Sequence, residues 1–296
     1  MKLIRIMILI AILVLPGLAC RLTGSGNESQ PQISQITPVL ATEMPLLPTE
    51  TPLPPPTEEP IAEPVKPAEF ETTCTEIPNF QVCVPQELAS ALVASTVAAA
   101  DSADIPFWAV MPEHHVIELQ GYPLTNTFLQ PKIHIIPAPD YFMMAEGALM
   151  TGNELMEMME SRDTHPKSLP ILPLVNAAPV MIARVNYIET EPLHGVEALT
   201  LLAQSYAVIN NYSMIYTFQG ITNDEKYWIG IVLPITQNSL PADDSVIPGG
   251  DFQTFADQYE TYSSEVEATL DSAAPGSFSP TYDIIQGVIN SITYTP

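Results

Sequence analysis

Apolar residues are distributed along this chain in three regimes. Residues 6–15 are apolar without a break. Residues 21–72 have no period, only scattered apolar positions among proline, threonine and glutamate. From residue 73 onward, short alternating runs give way to runs with helical spacing. Alternation over 80–84 predicts a strand, and so do the runs at 107–110, 115–119 and 132–136. Residues 88–100, small and apolar, read as a helix or a buried irregular run. Thr151 and Glu154 have capping-box spacing ahead of Leu155, Met158 and Met159, which predicts a Met-rich helix. Residues 179–188 and 196–203 read as a strand pair. The clearest hairpin joins 212–218 to 227–233, with Asn223 and Asp224 supplying turn chemistry. After an acidic loop over 241–250, Phe252, Phe255, Tyr259, Tyr262, Val266 and Leu270 recur every three or four residues. Asp251 is the expected N-cap of that helix. Ser279 and Pro280 predict the start of a second one, with Ile284, Ile285, Val288 and Ile292 as its apolar face. Strands in the middle and helices at the end imply an α+β domain: an antiparallel β-sheet with helices packed on it, including two C-terminal helices.

The apolar run at 6–15 is too short to span a bilayer, which takes about 20 residues. Lys2 and Arg5 precede it, Pro16 and Gly17 break it, and Leu18, Ala19 and Cys20 follow. This is the layout of a secretion signal, and its end resembles a lipobox with Gly17 where a branched apolar residue is usual. The expectation is a signal peptide over 1–19 and lipid on Cys20; an ordinary signal cut near Ala19 is the alternative. One acyl chain binds membranes only marginally, so stable anchoring needs the further chains that such a cysteine carries.

The chain has 3 cysteines. An odd count in an exported protein leaves one thiol to explain. With lipid on Cys20, Cys74 and Cys83 are free to pair across the turn at Pro78 and Asn79, and an oxidising compartment permits it. A two-cysteine metal site lacks further ligands nearby. Residues 20–72 read as a proline-rich linker, because proline fixes φ and removes amide donors. Extended polyproline-like backbone over that length reaches at most on the order of 150 Å. Residues 73–296 read as a single α+β globular domain.

Charge narrows the partners. There are 34 acidic and 9 basic residues, and the net charge is −25. So acidic a surface repels phosphate backbones, which excludes nucleic acid as a partner. The membrane is the expected partner through the lipid anchor, on the extracytoplasmic side.

Candidate chemistry is sparse. His114 and His115 point to opposite faces of a strand and cannot share an ion; His115 with His134 on a neighbouring strand is the remaining metal pair. Asp243, Asp244 and Asp251, with Gly249 and Gly250, offer oxygens for calcium without EF-hand spacing. Met143, Met144, Met150, Met156, Met158 and Met159 suit either an adaptable ligand surface or ordinary core. Trp108 and Trp228 read as core aromatics. Arg184 shares a strand face with Val180 and Ile182, and reads as a carboxylate partner or the rim of an anion site. No GxSxG elbow, GxGxxG or P-loop string occurs, so no catalytic residue, metal or cofactor is assigned.

Three stretches carry a resemblance: LPILPLVNAAPVMIARVNYIE, INNYSMIYTFQGITNDEKYWIGIVLPITQNSLP and DIIQGVINSI, with PEHHVIELQGYPL and PKIHIIPAP upstream. On these the chain resembles a group of uncharacterised exported bacterial proteins over most of 107–292. The resemblance implies export and assigns no site residues. Those proteins tend toward a Gly-rich turn with an arginine where Leu193, His194, Gly195, Val196 and Glu197 stand here. The order of sheet and final helix also resembles PsbP/Mog1-like domains, at fold level only. The expected function is a lipid-anchored extracytoplasmic binding or envelope-associated accessory protein. A surface hydrolase with an unrecognised active site is the alternative, and a purely structural domain is the third reading.

Overall fold

The computed structural model describes residues 71–296. Cys20, the signal over 1–19 and almost all of the linker over 20–72 lie outside the described residues.

Seven strands form one antiparallel sheet: β3 (Ala91–Val97), β4 (His114–Gln120), β5 (Lys132–Pro137), β6 (Ala178–Glu189), β7 (Leu193–Ala203), β8 (Ile215–Thr222) and β9 (Tyr227–Pro234). Their spatial order is β3-β4-β5-β9-β8-β7-β6. The hairpin β8–β9 sits at the centre. Its residues are almost all buried, because both faces of the sheet are covered there. This explains why its apolar run is continuous rather than alternating.

Strand alternation sends the two residue sets to opposite layers. On one face, Ile136, Trp228, Ile221, Val196 and Ala198 pack under α1 (Ala138–Met144) and α2 (Glu146–Ser161). On the other, Ile117, Ile133, Ile231, Phe218 and Leu199 pack under α5 (Tyr282–Asn290) and a small sheet. That sheet is β1 (Thr72–Ile77), β2 (Phe80–Pro85) and β12 (Thr293–Tyr294), in the order β1-β2-β12. Before α5 come β10 (Thr236–Gln237), α3 (Phe252–Asp257), α4 (Tyr259–Ser272) and β11 (Phe278–Ser279), with β10 and β11 paired. The architecture is α+β, with helices against an antiparallel sheet and two helices near the C-terminus. Cys74 and Cys83 are opposite each other on β1 and β2 and are disulfide-bonded. Pro78 and Asn79 make the turn, with Asn79 at φ 67°. Among the described residues no helix is long and apolar enough to cross a membrane.

Several local expectations give way to tertiary context. Residues 91–97 are a largely exposed edge strand, held by register with β4 rather than by burial. Residues 107–109 form a 3-10 turn after Pro106, and Phe107 is exposed. The Met-rich helix begins at Glu146, five residues before Thr151, whose hydroxyl donates to the Gly147 carbonyl at 2.9 Å. A shorter helix precedes it directly after β5, with Pro139 in its first turn. The expected long helix from 252 is broken at Gln258 into α3 and α4; Asp251 does cap α3, accepting from the Thr254 amide at 3.0 Å. The last helix starts at Tyr282 with Thr281 as N-cap, because Ser279 belongs to β11 and pairs with Thr236 of β10.

Candidate functional site

Two concave sites stand out, one on each face of the sheet. The first is a polar cleft of about 460 Å³ that includes Arg184, Asn186, Glu197, Asp271, Tyr282 and Gln286. Register shifts in β6 on either side of Ala183 put Arg184 at φ 54°. The bulge turns its side chain off the face expected from alternation and toward the end of α4. There the guanidinium donates to the carbonyls of Ala273 at 2.8 Å and Leu270 at 3.2 Å. It also lies 4.4 Å from the centre of the Tyr282 ring. Among the described residues no carboxylate pairs with the guanidinium, against expectation; Asp271 instead takes the Arg184 backbone amide at 2.5 Å. A cation on carbonyls at a helix C-terminus is favourable for the same dipole reason.

Glu197 is fully buried. One carboxylate oxygen accepts from the Tyr216 hydroxyl at 2.5 Å; the other accepts from Asn186 at 3.0 Å and from Gln286. Burial first, and the Glu197 charge second, push the Tyr216 phenol well above its ordinary value. Glu197 is therefore spent: its oxygens are satisfied by fixed donors, which is what a buried carboxylate requires. At the cleft mouth the Thr164 hydroxyl lies 3.1 Å from His165 Nδ1, but both residues are exposed on a turn.

The second site is an apolar groove of about 790 Å³ over the part of the opposite face that α1 and α2 leave open. Its floor is β5 and β9, carrying His134 and Val232, with Leu202 from β7. Its walls include Phe128 on one side and Ile171 and Val175 on the other. The segment holding Ile171 is pinned at the sheet. Gly230 has no side chain, so the Leu172 carbonyl lies 2.5 Å from where a Cβ would stand. Gln219, buried in mid-strand, accepts from the Leu172 amide at 3.1 Å and from the Trp228 indole at 2.9 Å. Its own amide donates to Thr217 at 2.9 Å. The Tyr141 hydroxyl accepts from the Leu174 amide at 3.0 Å. These fixed bonds make a preformed wall, so a ligand need not order it.

His134 lies in this groove, but its neighbour is His114, not His115. Register pairs Val116 with His134, which puts 114 and 134 on one face and turns His115 toward Thr96 on β3. The His114 and His134 rings stack with centres 5.7 Å apart. His114 Nδ1 donates to the Pro112 carbonyl at 3.0 Å. His134 Nδ1 is sealed from solvent with no hydrogen-bond partner among the described residues. Burial, reinforced by His114 and Lys132, holds the His134 imidazole down at about 4, and burial also lowers His114. Among the described residues no three His, Cys, Asp or Glu gather as a metal set.

The other singled-out residues disperse. Of the six methionines only Met158 is buried, while Met143, Met150 and Met156 are exposed on α1 and α2, away from the groove. Trp228 is core; Trp108 is half-buried. Asp251 is used as a cap and Asp243 accepts from the Ser245 amide at 2.9 Å, so these two carboxylates are engaged locally. The groove residues had a signal in the sequence that spacing alone did not reveal. Gln219 is a lone amide in an apolar strand, and Gly230 is a glycine inside one, which marks close approach of another backbone. No protein-family model and no curated protein matches the chain.

Proposed function

We propose that this chain is a lipid-anchored extracytoplasmic binding protein whose ligand seat is the apolar groove over β5 and β9. The groove carries the reading. Its volume of about 790 Å³ is within the range of small-molecule sites, roughly 300–1,000 Å³. Its lining is mostly apolar with few polar groups, and its wall is pinned by Gln219 and Gly230. The polar cleft, by contrast, satisfies its own carboxylate. The address rests on the first twenty residues, and the pairing of Cys74 with Cys83 leaves Cys20 as the remaining thiol.

Full-length protein expressed with its own leader in a bacterial host tests this. Wild type is expected in the membrane fraction, and Cys20→Ser in the soluble exported fraction. Native mass spectrometry of the detergent-extracted wild type is expected to find a co-purifying small molecule, absent from Leu202→Trp. Cytoplasmic, unprocessed protein would overturn the address, and a ligand-free wild type that also takes up none of the alkyl probes below would overturn the binding reading. The hydrolase reading has one observation in its favour, the Thr164–His165 pair beside Arg184. Ester turnover that disappears in Thr164→Val would establish it instead.

A further inference from the structure

We propose that the groove selects a neutral, largely apolar molecule carrying one hydroxyl or carbonyl oxygen, and that His134 is the group that reads that oxygen. This rests on the groove being a ligand seat and adds the class of ligand.

Charge decides the first half. Lys132 is the cation in the lining, and its ammonium is already 3.0 Å from the Glu118 carboxylate. An anionic head would find a neutralised lysine, a neutral imidazole and the field of a chain carrying −25. A cationic head would find no carboxylate either, since among the described residues no Asp or Glu lines the groove. It would meet the already neutralised Lys132–Glu118 pair instead. Each charged head would lose its water without gaining a partner, which is costly in an apolar site. A neutral molecule avoids that loss.

Hydrogen bonding decides the second half. His134 Nδ1 is sealed and unpartnered, so it cannot serve a molecule in the groove. An orphaned buried N–H is worse tolerated than an unpaired acceptor. The proton therefore belongs on Nε2, the one ring nitrogen left to interact. The neutral ring is held in place by its stack on His114. It offers an N–H donor on the half-buried floor, while the lining's amides, Gln130, Asn176 and Gln204, are solvent-exposed. Its complement is a single acceptor oxygen on an apolar body, of which a long-chain alcohol is the simplest case.

Isothermal titration of the full chain with dodecan-1-ol below its solubility limit, and with dodecanoate and dodecyltrimethylammonium below their micelle concentrations, tests this. Dodecan-1-ol is expected to bind at least about tenfold tighter than either ion. His134→Phe should weaken the alcohol by roughly three- to tenfold, the worth of one neutral hydrogen bond. His134→Gln, which restores a donor, should recover part of it. Val175→Trp, at an exposed lining position, should block the alcohol. Either ion binding as tightly as the alcohol, or His134→Phe leaving the alcohol unchanged, would overturn the ligand class and leave the groove a binding site. Binding of none of the three by protein that also purifies ligand-free would overturn both.

Discussion

His134 carries the sharpest consequence at the scale of a residue. Its folded imidazole titrates at about 4, against an ordinary 6.5. Between those values the unfolded chain binds the extra proton, so stability falls as pH is lowered from about 7 toward 4 and is undiminished by this group above 7. At about 1.4 kcal/mol per unit the full loss is on the order of 3 kcal/mol. Urea unfolding of wild type and His134→Phe at pH 7 and 4.5 checks this: the variant should lose less stability on acidification, though not none, because His114 is lowered in the same direction. Equal losses would mean the ring is not held neutral by burial. Glu197 shows the opposite use of burial. Three donors from β6, β8 and α5 converge on it, so it joins layers of the fold.

At the scale of elements, the groove exists because one connecting segment lies flat on the sheet. Residues 169–174 cross β9 where Gly230 removes a side chain and Gln219 supplies an acceptor. Gly230→Ala should push the Leu172 carbonyl away, since backbone cannot swing aside as a side-chain tip can. The expected cost is about 1–3 kcal/mol in overall stability, as for other overpacking changes. Dodecan-1-ol binding should weaken with it. Gly276→Ala is the control, because nothing lies within 4 Å of a Cβ there. Unfolding followed by Trp228 emission reads both, as that indole shares Gln219 with the segment. If the two variants unfold alike, the close approach at Gly230 is not what pins the wall.

At the scale of the whole molecule, the small sheet is part of the main core rather than an appendage. Phe80, Val82 and Val84 of β2 are buried with residues of the large sheet and α5. Phe80 also stacks on Tyr294 at 4.7 Å and meets Tyr227 edge-on at 5.1 Å. The disulfide closes a sequence separation of 9 residues. On chain entropy alone, losing it costs about 2–3 kcal/mol. Because β2 shares the core, the Cys74→Ser, Cys83→Ser double variant should lower a single cooperative melting transition. Calorimetry with and without reductant should shift the wild type toward the variant, and an unchanged midpoint would make the bond dispensable.

What the sequence by itself determined was the content of elements: the strands at 80–84, 115–119, 132–136 and 179–188, the β8–β9 hairpin, the Asp251 cap and the Cys74–Cys83 pair. Those depend on alternation, turn residues and spacing, which are local. Element boundaries near 88–110, 146 and 280 were not legible there, because pairing with β4, an early helix start after β5 and pairing with β10 outweigh local propensity. The histidine pair needed the β4–β5 register, since a one-residue shift exchanges every side chain between faces. Arg184 needed the bulge. The groove needed all of these at once: its lining comes from four separate parts of the chain, and no window of sequence contains the empty space between them.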